Sequence, residues 1–332
     1  MESDNTVARK RFAWFAWAVL AFNVPVILWG AYVRASYSGD GCGAHWPFCN
    51  GQLIPQNMPK PQVIEFTHRV TIGMDVLLTI ALVVFAFWVY PKRHIVRRYA
   101  AATMVFLVVE SALGAGLVLF RMVARDQSAG RGWYLSAHLV NTMLMLAAMT
   151  LTAWLAGGGT KRLTIGFKIR NALPSLLWAA AITIFVSITG AVTALGDTLF
   201  PAGTLMEGVR QDLAGGSPLL VRLRIAHPAI AVTGAVFILW TTLEFWRHTS
   251  EAGARKAAMW LVWLCGLQLF VGAANLSLLA PVYMQIVHLL VGDFAWIAMV
   301  LVIAESALIS QRVPATTPMG LSPRQTAAGK PA

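Results

Sequence analysis

The chain has 332 residues, of which 58% are hydrophobic and only 12% are charged, and its mean hydropathy is +0.65. These values lie outside the range of soluble domains and predict an all-α polytopic membrane protein without a sizeable soluble domain. The net charge of +12 is explained by cytoplasmic loops and an anionic lipid bilayer, so no nucleic-acid partner is expected.

Eight apolar segments are long enough to cross a bilayer as helices. Charged clusters separate them. The first segment follows the basic stretch ARKR but has no convincing small-residue cleavage site, so we interpret it as a retained span. The predicted spans are 12–33, 62–89, 99–120, 132–156, 172–196, 221–245, 257–279 and 282–309.

Lysine and arginine are distributed unevenly between the two sets of connecting segments. Most of the 26 basic residues lie in residues 1–11, in loops near 91–98, 157–171 and 247–256, and in the tail 311–332. The positive-inside rule therefore predicts a multi-pass protein of the cell (inner) membrane with both termini in the cytoplasm. The tail is rich in Pro, Thr, Ala and Gly and is predicted to be disordered.

The stretch GCGAHWPFCNGQLIPQ, residues 41–56, forms a polar, turn-rich loop on the outer side. Cys42 and Cys49 lie close enough in sequence for a disulfide, which an oxidising compartment permits. Three interpretations stay open for the pair. It is a structural staple, a redox-active pair beside a reaction centre, or a metal site with His45, although this spacing fits no common zinc pattern.

Four of the seven histidines share one depth, roughly 9–10 Å below the outer boundary at 1.5 Å per helical residue. They are His68, His138, His227 and His288, one on each inward-running span. A single intramembrane histidine is often a hydrogen-bonding group between helices. Four at one depth instead indicate two bis-histidine haem sites, because neutral imidazole suits iron. A dinuclear metal site is disfavoured because carboxylates are sparse nearby.

Short motifs recur in the two parts of the chain at an offset of about 150–160 residues. ILWGAYVRA in span 1 resembles VSITGAVTA in span 5, and SAHLV in span 4 resembles IVHLL in span 8. We infer that a four-helix unit was duplicated, giving halves 12–156 and 172–310 related by a pseudo-twofold axis along the membrane normal. The predicted haem ligand pairs are His68 with His138 and His227 with His288.

The two halves differ beside the first histidine of each pair. Glu65 stands one turn before His68, whereas the corresponding residue of the second half is Arg224. Glu65 either pairs with Arg69 on the same helix face or acts as a catalytic acid/base or a stabiliser of positive charge. The first half is therefore predicted to hold a reaction site and the second half a permanent cofactor.

Other charged residues in or beside the spans have two interpretations each. They are partners of haem propionates or parts of a proton path, or they are interfacial anchors and hydrogen-bonding partners of polar neighbours. The candidates are Arg69, Arg222, Arg224, Asp75 and Glu110, and Asp293 is a weaker case.

The motifs GCGAHWPFCNG and EFTHR, followed by three further spaced histidines, resemble the haem A synthase family over roughly residues 10–310. The resemblance implies oxidation of the C8 methyl group of haem O to the formyl group of haem A, by two successive hydroxylations and loss of water. It implies Glu65 as the catalytic carboxylate and a disulfide between Cys42 and Cys49. It also implies that the first histidine pair holds the substrate haem and the second pair a haem b.

The family further implies haem O synthase as a partner, while the electron-transfer partner is not identified and a homo-oligomer is compatible with the sequence. One departure from some relatives is that residues 197–220 contain no cysteine. Two rival functions use the same histidines: a two-haem b membrane electron carrier and a haem-handling transporter. Ligands at one depth argue against the carrier, because electron transfer across the bilayer requires haems at two depths.

Overall fold

The computed structural model describes residues 2–158, 172–214, 216 and 219–312. Within these residues the regular secondary structure is helical. The helices are α1 (Glu2–Ala35), α2 (Lys60–Val89), α3 (Ile95–Leu119), α4 (Ala129–Ala156), α5 (Ala172–Leu199), α6 (Leu205–Leu213), α7 (Leu219–Arg224), α8 (Ala226–His248), α9 (Ala252–Ser277) and α10 (Val282–Arg312).

Eight helices in the described part of the chain are long and apolar enough to cross a membrane, namely all except α6 and α7. This confirms the all-α polytopic prediction. Residues 2–11 of the predicted N-terminal segment are helical, since α1 begins at Glu2. Most of the predicted linker 157–171 and of the predicted tail 311–332 lies outside the described residues.

The sixth span, predicted at about residues 221–245, begins a few residues later, because the helix is interrupted at Ile225. Pro228 explains the interruption. Proline has no backbone N–H, and its ring would clash with the carbonyl of Arg224 in a continuous helix, whereas it is tolerated in the first turn of a new one. The spanning helix α8 therefore begins at Ala226.

The spanning helices form two rings of four. In the first half, α1, α2, α3 and α4 pack each on the next, and α4 returns to α1; α5, α8, α9 and α10 do the same in the second half. The halves meet through α1, α4, α5 and α10. At this junction the Trp296 indole donates to the Met143 carbonyl at 2.7 Å, and Arg34 donates to the Ala194 carbonyl at 2.9 Å. The pseudo-twofold relation between the bundles stays a prediction.

The buried core follows the junction, and large apolar side chains cover the outside. Phe12, Met149 and Val302 are almost fully buried, whereas Trp88 and Phe270 are more than two-thirds exposed. Such an exposed apolar surface suits contact with lipid tails. The polar candidate residues Glu65, Asp75, Arg224 and Asp293 are buried.

Candidate functional site

In the first half, His68 and His138 each pack against a glycine of a neighbouring helix. A Cβ atom added to Gly30 on α1 would lie 3.0 Å from Nε2 of His68, and one added to Gly114 on α3 would lie 3.6 Å from Nε2 of His138. The helices that carry the histidines, α2 and α4, are opposite members of the ring. The two imidazoles are near enough to interact electrostatically.

The second half repeats this arrangement. A Cβ atom added to Gly190 on α5 would lie 3.0 Å from Cε1 of His227, and one added to Gly272 on α9 would lie 3.1 Å from Cε1 of His288. These imidazoles also interact electrostatically across their ring. The recurrence of the glycine–histidine contact at matching positions favours the inferred duplication.

The four histidines are suited to haem iron. Nδ1 of His68 and Nδ1 of His288 are buried without a hydrogen-bond partner among the described residues. No group of three or more His, Cys, Asp or Glu residues that could hold a bare metal ion occurs within the described ranges. Two axial imidazoles per site suffice for haem because the porphyrin supplies the other iron ligands.

Glu110 holds the His138 ring in a fixed orientation, a contact that the sequence analysis did not identify. Its Oε1 lies 2.8 Å from Nδ1 of His138, and its carboxylate also accepts hydrogen bonds from Asn141 at 2.6 Å and from the Thr142 hydroxyl. Glu110 is therefore hydrogen-bonded to polar neighbours, as one of its two interpretations predicted. Its role in a proton path stays a prediction. When Nδ1 of His138 donates to Glu110, Nε2 is left to bind a ligand.

Histidines of the second half also have polar neighbours. Oγ1 of Thr189 lies 2.9 Å from Nδ1 of His227 and donates its own proton to the Val186 carbonyl at 2.8 Å, so it accepts from the imidazole. The amide nitrogen of Gln268 lies 3.3 Å from Nε2 of His288. Both neighbours are uncharged, unlike Glu110.

Glu65 connects α2 to the outer loop. Its side chain is buried, one oxygen accepts from the backbone N–H of Cys42 at 2.8 Å, and the other accepts from Arg69 at 2.5 Å. Arg69 also donates to the carbonyls of His45 at 2.7 Å and Phe48 at 2.8 Å. The predicted Glu65–Arg69 pair is therefore present, and a catalytic role for Glu65 stays a prediction.

The outer loop is closed by a disulfide between Cys42 and Cys49, which confirms the predicted pairing. While bonded to each other, the two sulfurs are not available to a metal with His45. The backbone N–H of Asn50 donates to the Cys42 carbonyl at 3.0 Å, and Gln62 of α2 contacts the Cys49 sulfur at 3.5 Å. The loop therefore lies on the N-terminal end of α2, near Glu65.

A Gly41→Ala variant is expected to displace this loop, because its Cβ would lie 2.6 Å from the backbone carbonyl of Pro61. We expect a loss of about 1–3 kcal/mol in stability, as overpacking typically costs, measured by thermal unfolding in detergent. Gly73→Ala is the matched control, since a Cβ there meets nothing within 4 Å. Equal stability of the two variants would show that the loop does not dock closely on α2.

The segment of residues 200–214 that follows α5 is held by ion pairs and not by a disulfide. Arg224 is buried and donates to Asp212 at 2.9 Å and to Asp197 at 3.3 Å. Arg224 is the residue of the second half that corresponds to Glu65, and it has the opposite charge. Like Glu65, it attaches a loop to the bundle, here through Asp212. These bonds leave Arg224 little capacity for a haem propionate, so that predicted role is now better suited to the exposed Arg222.

The buried carboxylates of Asp75 and Asp293 lie deeper in the bundles. Asp75 accepts from Asn23 of α1 at 2.7 Å, while its other oxygen has no partner among the described residues. One oxygen of Asp293 is likewise buried without a described partner. Hydrogen bonding to a polar neighbour is thus present for Asp75, and a proton path through either residue stays a prediction.

Comparison with known proteins agrees with this arrangement. The COX15-CtaA family, described as cytochrome oxidase assembly protein, matches residues 13–300. The chain belongs to the COX15-CtaA family. This confirms the resemblance to haem A synthases inferred from the loop motif, EFTHR and the four histidines.

Individual relatives of this COX15-CtaA chain carry two different names. A Thermus thermophilus protein named protoheme IX farnesyltransferase is 44% identical over 309 residues, which are 92% of this chain and 50% of the relative. The chain thus spans about half the length of that relative. A heme A synthase of Exiguobacterium sp. is 33% identical over 57% of this chain and 60% of its own length. Another, of Symbiobacterium thermophilum, is 29% identical over 76% and 81%.

Proposed function

We propose that the protein is a haem A synthase, which oxidises the C8 methyl group of haem O to the formyl group of haem A. The observation that carries this proposal is the recurrence of glycine-packed histidine pairs in both bundles of a COX15-CtaA chain. Relatives named heme A synthase match up to 92% of the chain and support the same activity.

His68 and His138 would hold the substrate haem, and His227 and His288 would hold a resident haem b. When bound, haem b supplies one-electron redox chemistry. Thr189 lies 2.9 Å from Nδ1 of His227, and by accepting its proton would leave Nε2 free to bind the iron. The imidazoles lie where the side chains of the neighbouring residues would be, and there is room for them because those residues are glycines.

Glu65 would act on the substrate side, one turn from His68. Loss of electrons from the methyl carbon develops positive charge, which a fixed carboxylate stabilises. Both oxygens of Glu65 accept hydrogen bonds, from the Cys42 backbone and from Arg69. An acceptor held in this way is suited to electrostatic stabilisation or to proton abstraction rather than to proton donation.

The disulfide-closed loop would serve as a lid over the substrate haem on the outer side of the membrane. Support comes from its two attachments to α2, one through Glu65 to the Cys42 backbone and one through Arg69 to the His45 carbonyl. A lid that excludes water strengthens the electrostatic effect of Glu65. In this orientation both termini are cytoplasmic.

A partnership with haem O synthase fits the same proposal. The Thermus relative is named for farnesyl transfer to protohaem IX, and this chain matches only half of it. A single longer chain that combines both parts would make haem O and then oxidise it. We therefore propose that the present protein receives its substrate from a farnesylating enzyme in the same membrane.

The activity is tested by producing the full chain together with haem O synthase in a host that makes no haem A. Haems extracted from the membranes with acidified acetone are separated by chromatography and identified by mass. We expect haem A or its hydroxylated intermediate from the wild type, and only haem O from a His68→Ala variant. Unconverted haem O in the presence of the folded wild-type protein would refute the proposal and favour the carrier or the transporter.

A further inference from the structure

We propose that Glu110 is a positioning residue that lowers the reduction potential of the haem iron in the first half, whereas Gln268 leaves the second half without this effect. The inference rests on the proposed function, because it assumes that His138 and His288 bind haem. It concerns the difference between the two sites, which the histidines alone do not explain.

The first observation is the environment of the Glu110 carboxylate. Three donors surround it: Nδ1 of His138 at 2.8 Å, the amide of Asn141 at 2.6 Å, and the hydroxyl of Thr142. All three come from α4, so the carboxylate of α3 is fixed against the turn that carries His138. No lysine or arginine is paired with Glu110 among the described residues.

The second observation is the equivalent position in the other half. Glu110 stands four residues before Gly114, and Gln268 stands four residues before Gly272. Each glycine packs against the histidine of the next helix in its ring. The Gln268 amide nitrogen lies 3.3 Å from Nε2 of His288, and Nδ1 of His288 has no hydrogen-bond partner among the described residues. Corresponding histidines therefore differ at Nδ1, which meets a carboxylate in the first half and no described acceptor in the second.

This difference changes the iron ligand. A carboxylate that accepts the Nδ1 proton makes the imidazole a stronger donor through Nε2. A stronger donor stabilises ferric over ferrous iron and lowers the reduction potential, one of the means by which proteins tune haem. The Gln268 amide nitrogen lies at Nε2 and accepts no Nδ1 proton, so it does not have this effect. The first site should thus favour oxidised iron beside the substrate methyl group that loses electrons.

A Glu110→Gln variant tests the inference, because it removes the negative charge beside Nδ1 of His138 and keeps the size of the side chain. The purified full chain is titrated spectroscopically against solution potential, and the two haems are fitted separately. At a fixed potential we expect about a tenfold rise in the ratio of reduced to oxidised iron at the first site, equivalent to about 59 mV for one electron. The haem of the second half is the internal reference and should not change.

Glu305→Gln is the matched control for loss of a carboxylate in the same chain. Glu305 accepts from the Trp154 indole at 3.2 Å and lies roughly 25 Å along α10 from His288, at 1.5 Å per residue. Neither haem should shift in this variant. If Glu110→Gln retains both haems with unchanged potentials, or if Glu305→Gln shifts the first haem equally, the proposal is wrong.

If Glu110→Gln does not bind the first haem, a Glu110→Asp variant is measured for comparison. Retention of the haem by the aspartate variant would support a requirement for the carboxylate, whereas equal loss from both would reduce Glu110 to a packing residue and overturn the proposal. Absence of haem from the wild-type protein would contradict the proposed function instead, so the two failures are distinguishable.

Discussion

A Glu65→Gln variant is expected to form haem A about 10²–10³-fold more slowly, the cost of removing one fixed electrostatic group from an active site, while haem b in the second half is retained. Glutamine keeps the size of the side chain and an oxygen that accepts from the Cys42 backbone. It removes the negative charge and the ion pair with Arg69. The rate is measured as haem A and intermediate formed per bound haem b.

Loss of activity in Glu65→Gln has two explanations, because Glu65 also fastens the outer loop. Gly41→Ala separates them, since it displaces the loop from Pro61 without altering any charge. A much smaller loss in Gly41→Ala than in Glu65→Gln would support a direct electrostatic role. Equal losses would assign Glu65 to loop attachment, and undiminished product in Glu65→Gln would remove the electrostatic role.

Gly30→Val and Gly190→Val are expected to abolish haem binding selectively, each in its own half. The first Cβ would lie 3.0 Å from His68 and the second 3.0 Å from His227, and the added methyl groups would force the imidazoles away. Gly30→Val should lose the substrate haem and keep haem b, and Gly190→Val should do the reverse. Extracted haem is quantified per polypeptide for each variant.

Gly266→Val is the matched control, because Gly266 lies within α9 but its Cβ would meet nothing within 4 Å. It carries the same helix-propensity cost of a β-branched residue without contact to a histidine. Both haems should remain. Loss of both haems from Gly30→Val, with the control intact, would show that the two bundles do not bind haem independently.

The membrane architecture was predictable from sequence because hydrophobic length and charge bias act over whole segments. The break before α8 was missed, although Pro228 and Arg224 were visible. A proline within an apolar run is compatible with a kink, a first turn or a helix end. In the folded chain Pro228 lies in the first turn of α8, and Arg224 before the break is bonded to Asp212.

The histidines of the candidate site were predictable because their common depth follows from counting residues along each span. Their partners were not. The contact between Glu110 and His138 depends on the rotation of α3 against α4, which close packing sets and sequence spacing does not. A usable signal existed in the repeat, because aligning Gly114 with Gly272 places Glu110 opposite Gln268.

The same distinction between predictable residues and unpredictable contacts applies to the two loops. The disulfide was predictable from the spacing of Cys42 and Cys49 and from the family motif. The attachment of that loop through Arg69 to backbone carbonyls was not, because carbonyl acceptors leave no mark in the sequence. The absence of cysteines in residues 197–220 was evident, but its replacement by ion pairs of Arg224 required the folded arrangement.

The most direct test of the two-site account is the identity and number of haems in the purified chain. The protein is isolated in detergent, its reduced-minus-oxidised spectrum is recorded, and the extracted haems are identified by mass and counted per polypeptide. We expect haem b together with haem O, its hydroxylated intermediate or haem A. Haem b alone, near two per chain and resistant to loss, would contradict a substrate site and identify an electron carrier.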